Sequence, residues 1–184
     1  MLNCKKRFRV YYMNFEYAIL DFIRNNLSSP FADGLMKGIS FLGNAGWIWI
    51  LTAICLMIFK RTRKAGVTIA CALVFSLLIS NLALKPLIAR VRPYELKEGI
   101  ALIISPPSDY SFPSGHTSAS FAASVALILN EKRLGIAAML LASLIAFSRL
   151  YLYVHFPSDI LGGIIIGTLC GVLAFFATRK ITSI

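Results

Sequence analysis

Four runs of the chain hold no Asp, Glu, Lys or Arg: Gly38–Phe59, Ala65–Leu84, Tyr110–Asn130 and Ile160–Thr178, of 22, 20, 21 and 19 residues. About 20 apolar residues cross the hydrocarbon core of a bilayer. A fifth run, Leu134–Ser148, has 15 residues, is interrupted by Arg149 and resumes with Leu150–Val154. No alternating strand pattern accompanies these runs, and a backbone in lipid must satisfy its own polar groups. The sequence therefore predicts an all-α, integral membrane helical bundle. Spans are expected near 43–59, 65–84, 115–130, 134–152 and 158–178. Composition agrees: 58% of residues are hydrophobic and 15% charged, in a chain of only 184. A globule this small has too little interior to hide that apolar surface.

The segment Asn14–Lys37 differs. Glu16, Asp21, Arg24, Asp33 and Lys37 interleave with Phe15, Ile19, Leu20, Phe22, Ile23, Leu27 and Leu35. That mixture suits amphipathic helices lying in the interface, broken at Ser28-Ser29-Pro30. A sixth, poorly hydrophobic crossing is the alternative, giving five to six transmembrane helices in all. The chain is expected to be one domain, with residues 1–42 a basic tail and amphipathic helices, and 43–178 the membrane core. No cleavable signal peptide is expected behind Lys5, Lys6, Arg7 and Arg9.

The net charge of +11 gathers in short clusters between the apolar runs. Lys60-Arg61-Thr62-Arg63-Lys64, Lys132-Arg133 and Arg179-Lys180 fall on one side if the spans alternate, which marks that side as cytoplasmic. Such clusters face anionic lipid, and nucleic acid is not an expected partner. With five spans the basic N-terminus stands outside, against this rule; with six it stands inside. Cys4, Cys55, Cys71 and Cys170 form no disulfide or metal-clip pattern and read as small hydrophobes. Gly163, Gly167 and Gly171, four apart, let helices approach closely, within the bundle or less plausibly in a dimer.

The outer side receives residues that the positive-inside rule disfavours: Lys85, Arg90, Arg92 and Arg149. A bound anion would account for them. Arg149, after 15 uncharged residues, marks a functional site by default, with snorkelling as its bland alternative. Ser114-Gly115-His116 opens a helix, where free N–H groups bind phosphate and glycine lets the main chain come close. His155 and Asp159, four apart, can share one face. A carboxylate accepting from one imidazole nitrogen frees the other to act. The chain's two histidines, His116 and His155, both fall at helix ends on this one side.

Three motifs sharpen this picture. Lys85-Pro-Leu-Ile-Ala-Arg-Val-Arg92-Pro93, Pro113-Ser114-Gly115-His116, and Ser148-Arg149 followed by His155 and Asp159 occur in that order. Together they resemble the type 2 phosphatidic acid phosphatase family, whose motifs also occur in vanadium haloperoxidases. The motifs run over Lys85–Asp159, and the spans extend the likeness to about Gly43–Thr178. The resemblance implies a metal-independent membrane lipid phosphatase without cofactor. His155 is then the nucleophile forming a phosphohistidine, Asp159 its orienting partner, and His116 the general acid and later base. Lys85, Arg92 and Arg149 hold the phosphoryl oxygens, with Ser114 and Gly115 adding donors.

The expected partners are a lipid phosphate substrate and membrane lipids, in the cell membrane, with the site extracytoplasmic. Undecaprenyl diphosphate is the first substrate expectation. Phosphatidylglycerol phosphate or phosphatidic acid is the alternative, and a lipid phosphotransferase using the same site is a further one. The loop Tyr94–Phe112 is expected to shape headgroup choice, with Ile100–Ile104 either dipping into the interface or solvated. A soluble haloperoxidase is opposed by the long apolar runs, and a transporter by the gathering of charge at one end of the helices.

Overall fold

A computed structural model describes residues 4–181, with side chains over 13–179. The basic side chains of Lys5, Lys6, Arg7, Arg9 and Lys180 lie outside the described ones. Every regular element among the described residues is helical. The order is α1 (Cys4–Leu27), α2 (Pro30–Leu42), a 3-10 turn (Asn44–Gly46), α3 (Trp47–Ile58), α4 (Arg63–Ser76), α5 (Lys85–Ile88), α6 (Pro93–Leu96), α7 (Gly115–Asn130), α8 (Lys132–Tyr151) and α9 (Pro157–Ile181). A π-helical stretch, Leu77–Leu84, carries α4 directly into α5.

Helix α7 is the hub, packing against α4, α8 and α9. At 16 residues it rises only about 24 Å, yet its side chains from Thr117 to Leu127 are mostly buried by neighbours. Small residues make this possible. A Cβ on Gly163, Gly167 or Gly171 would meet the backbone oxygens of Ser114, Ser118 and Ala122 at 2.9, 2.4 and 2.7 Å. The glycine stripe thus packs within the bundle, against α7. Polar side chains add ties: Ser118 Oγ lies 2.8 Å from Ser76 Oγ and 2.7 Å from Ser80 Oγ, and Trp49 Nε1 donates to Ser120 Oγ at 2.9 Å. In lipid such ties and close packing replace the hydrophobic drive between helices. The outer surface is an apolar belt that includes Ile54, Val74, Leu140, Leu144, Leu161, Ile165, Leu169 and Leu173. Its solvent is lipid, and the protein is integral to the membrane.

Helices over Arg63–Leu96, Lys132–Tyr151 and Pro157–Arg179 are long and apolar enough to cross a membrane. The uncharged run Gly38–Phe59 divides between two helices: its start ends Pro30–Leu42, and Asn44–Ile58, within the span expected over 43–59, follows at a bend of 45°. The bend follows from backbone signs, since Ala45 and Gly46 take φ of 49° and 68°, a region α-helices exclude. Helix α1 has one buried face and one exposed face, the latter carrying Phe15 and Phe22. Leu20 and Ile23 are buried, and α1 packs on α8 and α9. The break at Ser28-Ser29-Pro30 is as expected: Ser29 caps α2 by accepting from Ala32 N at 3.2 Å, with Pro30 next.

Candidate active site

The site lies where α4 and its continuation end, α7 begins, α8 ends and α9 begins. This is the bundle end opposite Lys60–Lys64 and Lys132–Arg133. The chain reaches it by tight geometry: Tyr153 sits at φ 61°, and Leu152, Tyr153 and Val154 donate back to Ser148, Leu150 and Arg149 carbonyls. A non-glycine residue held there costs on the order of 1–3 kcal/mol and persists where its surroundings dictate it. Here the Tyr153 hydroxyl donates to Asp21 Oδ1 at 2.8 Å.

Lys85, Arg92, Arg149, His116, His155 and Gly115 line one cavity of about 520 Å³. The structure thus brings together most of the side chains the sequence singled out. Arg92 is 2% exposed; its Nη1 donates to the Val154 carbonyl at 2.6 Å and lies 3.3 Å from His155 Nε2. Arg149 is equally buried, donates from Nη1 to Ser40 Oγ at 2.5 Å, and keeps its Nε without a protein partner. A buried donor without a partner is costly, and a phosphoryl oxygen in this cavity would supply one. Gly115 lets the main chain come close to the site, since a Cβ would fall 2.7 Å from Asn81 Oδ1 and displace that side chain.

His155 is 1% exposed. Burial first, and then the cations Arg92 and Arg149, hold its imidazole far below the ordinary range, at about 3 despite Asp159. It is therefore neutral, with Nε2 toward Arg92 and the cavity. Its Nδ1 stands 3.6 Å from Asp159 Oδ2, longer than a hydrogen bond, and is unpartnered. Asp159 is itself fixed: Oδ2 accepts from Ser111 Oγ at 2.5 Å and Phe156 N at 2.8 Å, and Oδ1 from Arg90 at 2.7 Å. His116 Nε2 lies 2.8 Å from Asn44 Oδ1. Ser114 stands apart from the cavity: its N–H donates to the Asp159 carbonyl at 3.1 Å, and its hydroxyl accepts from Thr117 Oγ1 at 3.0 Å. It caps α7 and braces α9.

Sequence reading passed over several residues. Asp109 bridges Lys85 and Arg92, accepting from Arg92 Nη2 at 2.5 Å. Glu16 is 1% exposed and paired with Arg90. Ser40 and Asn44 come from the bend between α2 and α3. The signal for Glu16 was present: residues 16, 20 and 23 share one helical face, and the other two are Leu and Ile. The loop segment Ile100–Ile104 is half-buried against the protein rather than a fully solvated connector. Ile100, Leu102, Ile103 and Ile104 pack on clusters holding Leu20, Ile23 and Tyr151–Val154.

A second, apolar cavity of about 600 Å³ adjoins the first, sharing Lys85, Asp109, Gly115 and His116. It runs from His116 past Ile50, Ile54 and Leu73 to Met57. No cluster of three or more metal-ligating side chains occurs among the described residues.

Residues 65–183 match the PAP2 superfamily. The undecaprenyl-diphosphatase of Sulfolobus acidocaldarius is 34% identical over 137 residues, 74% of this chain and 66% of that protein. The lipid A 4'-phosphatase of Bacteroides thetaiotaomicron is 33% identical over 171 residues, 86% of this chain and 75% of that one. The crystal structure of the transmembrane PAP2-type phosphatidylglycerolphosphate phosphatase from Bacillus subtilis superposes with a TM-score of 0.76 at 26% identity, covering 94% of this chain and 88% of that one. A basic cavity with two histidines, at one end of a bundle so matched, leaves one conclusion: the chain belongs to the PAP2 superfamily, among its membrane-embedded phosphatases.

Proposed function

We propose that this protein hydrolyses the terminal phosphate of a polyprenyl diphosphate, undecaprenyl diphosphate first among them, through a phosphohistidine on His155 at the extracytoplasmic face. The observation that carries the reading is the neutral, buried His155 with Nε2 beside Arg92, in one cavity with Lys85, Arg149 and His116. Phosphoryl transfer demands positioning and charge stabilisation on the equatorial oxygens. Lys85, Arg92 and Arg149 supply the charge, with the open Arg149 Nε as one donor.

In the first step His155 Nε2 attacks phosphorus and the bond to the bridging oxygen breaks. His116 gives that oxygen its proton, the leaving oxygen taking the place of Asn44 as its partner. Asp159 stabilises the imidazolium character that develops. In the second step water attacks phosphorus, His116 takes the water's proton, and the N–P bond breaks to release phosphate. The adjoining apolar cavity suits the lipid chain. The extracytoplasmic assignment rests on the basic loops at the other end of the bundle.

The longer alignment with the lipid A 4'-phosphatase supports a second substrate reading, a phosphorylated glycolipid. A panel on detergent-purified protein separates them: undecaprenyl diphosphate, lipid A, phosphatidylglycerol phosphate and phosphatidic acid, ranked by kcat/KM. The diphosphate is expected first, and a monophosphate ranking tenfold higher would overturn that choice. An alcohol acceptor added to the assay tests for transfer. His155→Ala and His116→Ala should each lose on the order of 10³-fold or more in rate. Near-normal turnover by His155→Ala would remove the nucleophile assignment. Activity is expected to persist in excess chelator.

A further inference from the structure

Helix α1 lies outside the stretch that matches the superfamily, residues 65–183. Yet it sends a carboxylate into the floor of the site. Glu16 is 1% exposed. Its Oε2 accepts from Arg90 Nη2 at 2.6 Å, and its Oε1 accepts from Ser158 N at 3.1 Å and Ser158 Oγ at 2.5 Å. Arg90 turns its other arm to Asp159 Oδ1 at 2.7 Å and Ser158 Oγ at 2.6 Å. Its guanidinium carbon stands 4.2 Å from the centre of the Phe156 ring. One guanidinium thus bridges two buried carboxylates, one on α1 and one behind His155.

The charge count decides what this arrangement does. Glu16 and Asp159 are two negative groups and Arg90 one positive, so one net negative charge remains on the Nδ1 side of His155. The Nε2 side faces Arg92 and Arg149, with Lys85, Asp109 and His116 around the same cavity. As the Nε2–P bond forms and the bond to the leaving oxygen breaks, the imidazole becomes cationic among those cations. It needs a negative neighbour that Arg90 has not cancelled. If Asp159 alone faced Arg90, the pair would be neutral. Glu16 takes up the Arg90 charge and leaves Asp159 its own.

We infer that Glu16 is a positioning residue for phosphoryl transfer, acting through Arg90 to hold Asp159 in place and keep its negative charge available to His155. The inference rests on the phosphohistidine reading above and adds to it a residue outside the matched stretch. Preorganised charge of this kind is effective in a site shielded from water.

The test sets charge against shape in the full-length, detergent-purified protein. Glu16→Gln keeps the shape and removes the charge; Glu16→Asp keeps the charge and shortens the arm. With undecaprenyl diphosphate and lipid A as substrates, Glu16→Gln is expected to lower kcat on the order of ten- to a hundredfold. KM should move less than about threefold, and single-turnover labelling of the protein with phosphate should slow by the same factor as kcat. Glu16→Asp is expected to lose at least about fivefold less kcat than Glu16→Gln. Melting temperatures in detergent accompany each variant, and if Glu16→Gln fails to fold, Arg90→Lys replaces it, expected to lower kcat with KM little changed. Glu16→Gln near parent kcat, equal losses in the Gln and Asp variants, or a loss confined to KM would each overturn the inference while an active parent leaves the phosphatase reading intact. A parent chain that releases no phosphate from either lipid would overturn both.

Discussion

Asp109 accepts from Arg92 Nη2 at 2.5 Å and from Lys85 Nζ, so a carboxylate from the chain itself sits on two of the cations expected to hold phosphate. Its side chain is half exposed, at the mouth of the cavity. Although burial alone would raise its pKa, the bonds from Lys85 and Arg92 prevail and hold it at about 2. The contribution of this carboxylate to stability is therefore complete above its ordinary value, near 3.8, and is lost as pH falls toward about 2. Across any working pH it is ionised, and it competes with an incoming phosphate for both cations. Asp109→Asn is expected to tighten inhibition by inorganic phosphate several-fold and to lower the melting temperature in phosphate-free buffer. Weaker phosphate inhibition in the variant would show that Asp109 aids anion binding instead.

Asn44 fixes the resting direction of His116 through the 2.8 Å contact between Oδ1 and Nε2. Behind the ring, Gly43 leaves no room for a side chain, since a Cβ would fall 2.7 Å from His116 Cδ2. A single hydrogen bond of this kind is worth about 0.5–1.5 kcal/mol. Asn44→Ala is therefore expected to lower kcat about two- to tenfold, and Gly43→Val more, with the bound lipid's KM changing less. Steady-state kinetics on the two variants check this. An Asn44→Ala loss as large as that of His116→Ala would make Asn44 part of the chemistry.

What could be read from residues alone divides along a physical line. Spans, the basic loops and the cations that line the cavity were legible because each is a local departure from background: an uncharged run, a charge cluster, an Arg inside apolar sequence. Arg149 is the clearest case, since depth in a span is itself the signal. The bend at Asn44–Gly46 was harder. Its run has no charge to mark the break, and its signs are only Gly43 and Gly46 flanking a turn. Glu16 reads only as one charge of an amphipathic segment, and Asp109 stands in none of the three motifs. Their partners lie 74 residues away for Arg90, and 24 and 17 for Lys85 and Arg92, and no local pattern encodes such pairing. At Ser114 the helix start reads as a phosphate cradle, and its own N–H donates to the Asp159 carbonyl.

The neutral state of His155 has a consequence for stability. Its imidazole is held at about 3 in the folded chain against an ordinary 6.5, so the unfolded chain binds a proton more readily. Stability is then full above about 6.5 and falls as pH drops toward 3. Between about pH 6.5 and 5 this single group removes on the order of 2 kcal/mol. His155→Asn, which cannot take up the proton, should flatten that part of the melting-temperature profile. The same shift places the loss of activity from protonating His155 below the ordinary histidine range. Parallel melting profiles of parent and variant would contradict the buried, neutral assignment.

The glycine stripe of α9 tests the bundle itself. At Gly167 a Cβ would lie 2.4 Å from the Ser118 carbonyl oxygen and 3.0 Å from Phe121 Cβ, and neither atom belongs to a flexible side-chain end. Accommodation requires α9 to move off α7. Overpacking of this sort costs typically about 1–3 kcal/mol. Because Ser114 braces α9 at the Asp159 carbonyl, the movement also loosens Asp159 behind His155. Gly167→Ala should therefore lower both the melting temperature and kcat, and Gly167→Val should lower each further. Gly162, whose Cβ would meet only the ring of Phe112, is the control and should tolerate alanine better. The stripe faces α7 within one chain, so size-exclusion profiles in detergent should be the same for parent and Gly167→Ala. A change of oligomeric state with melting temperature and kcat preserved would assign the stripe to an interface between chains.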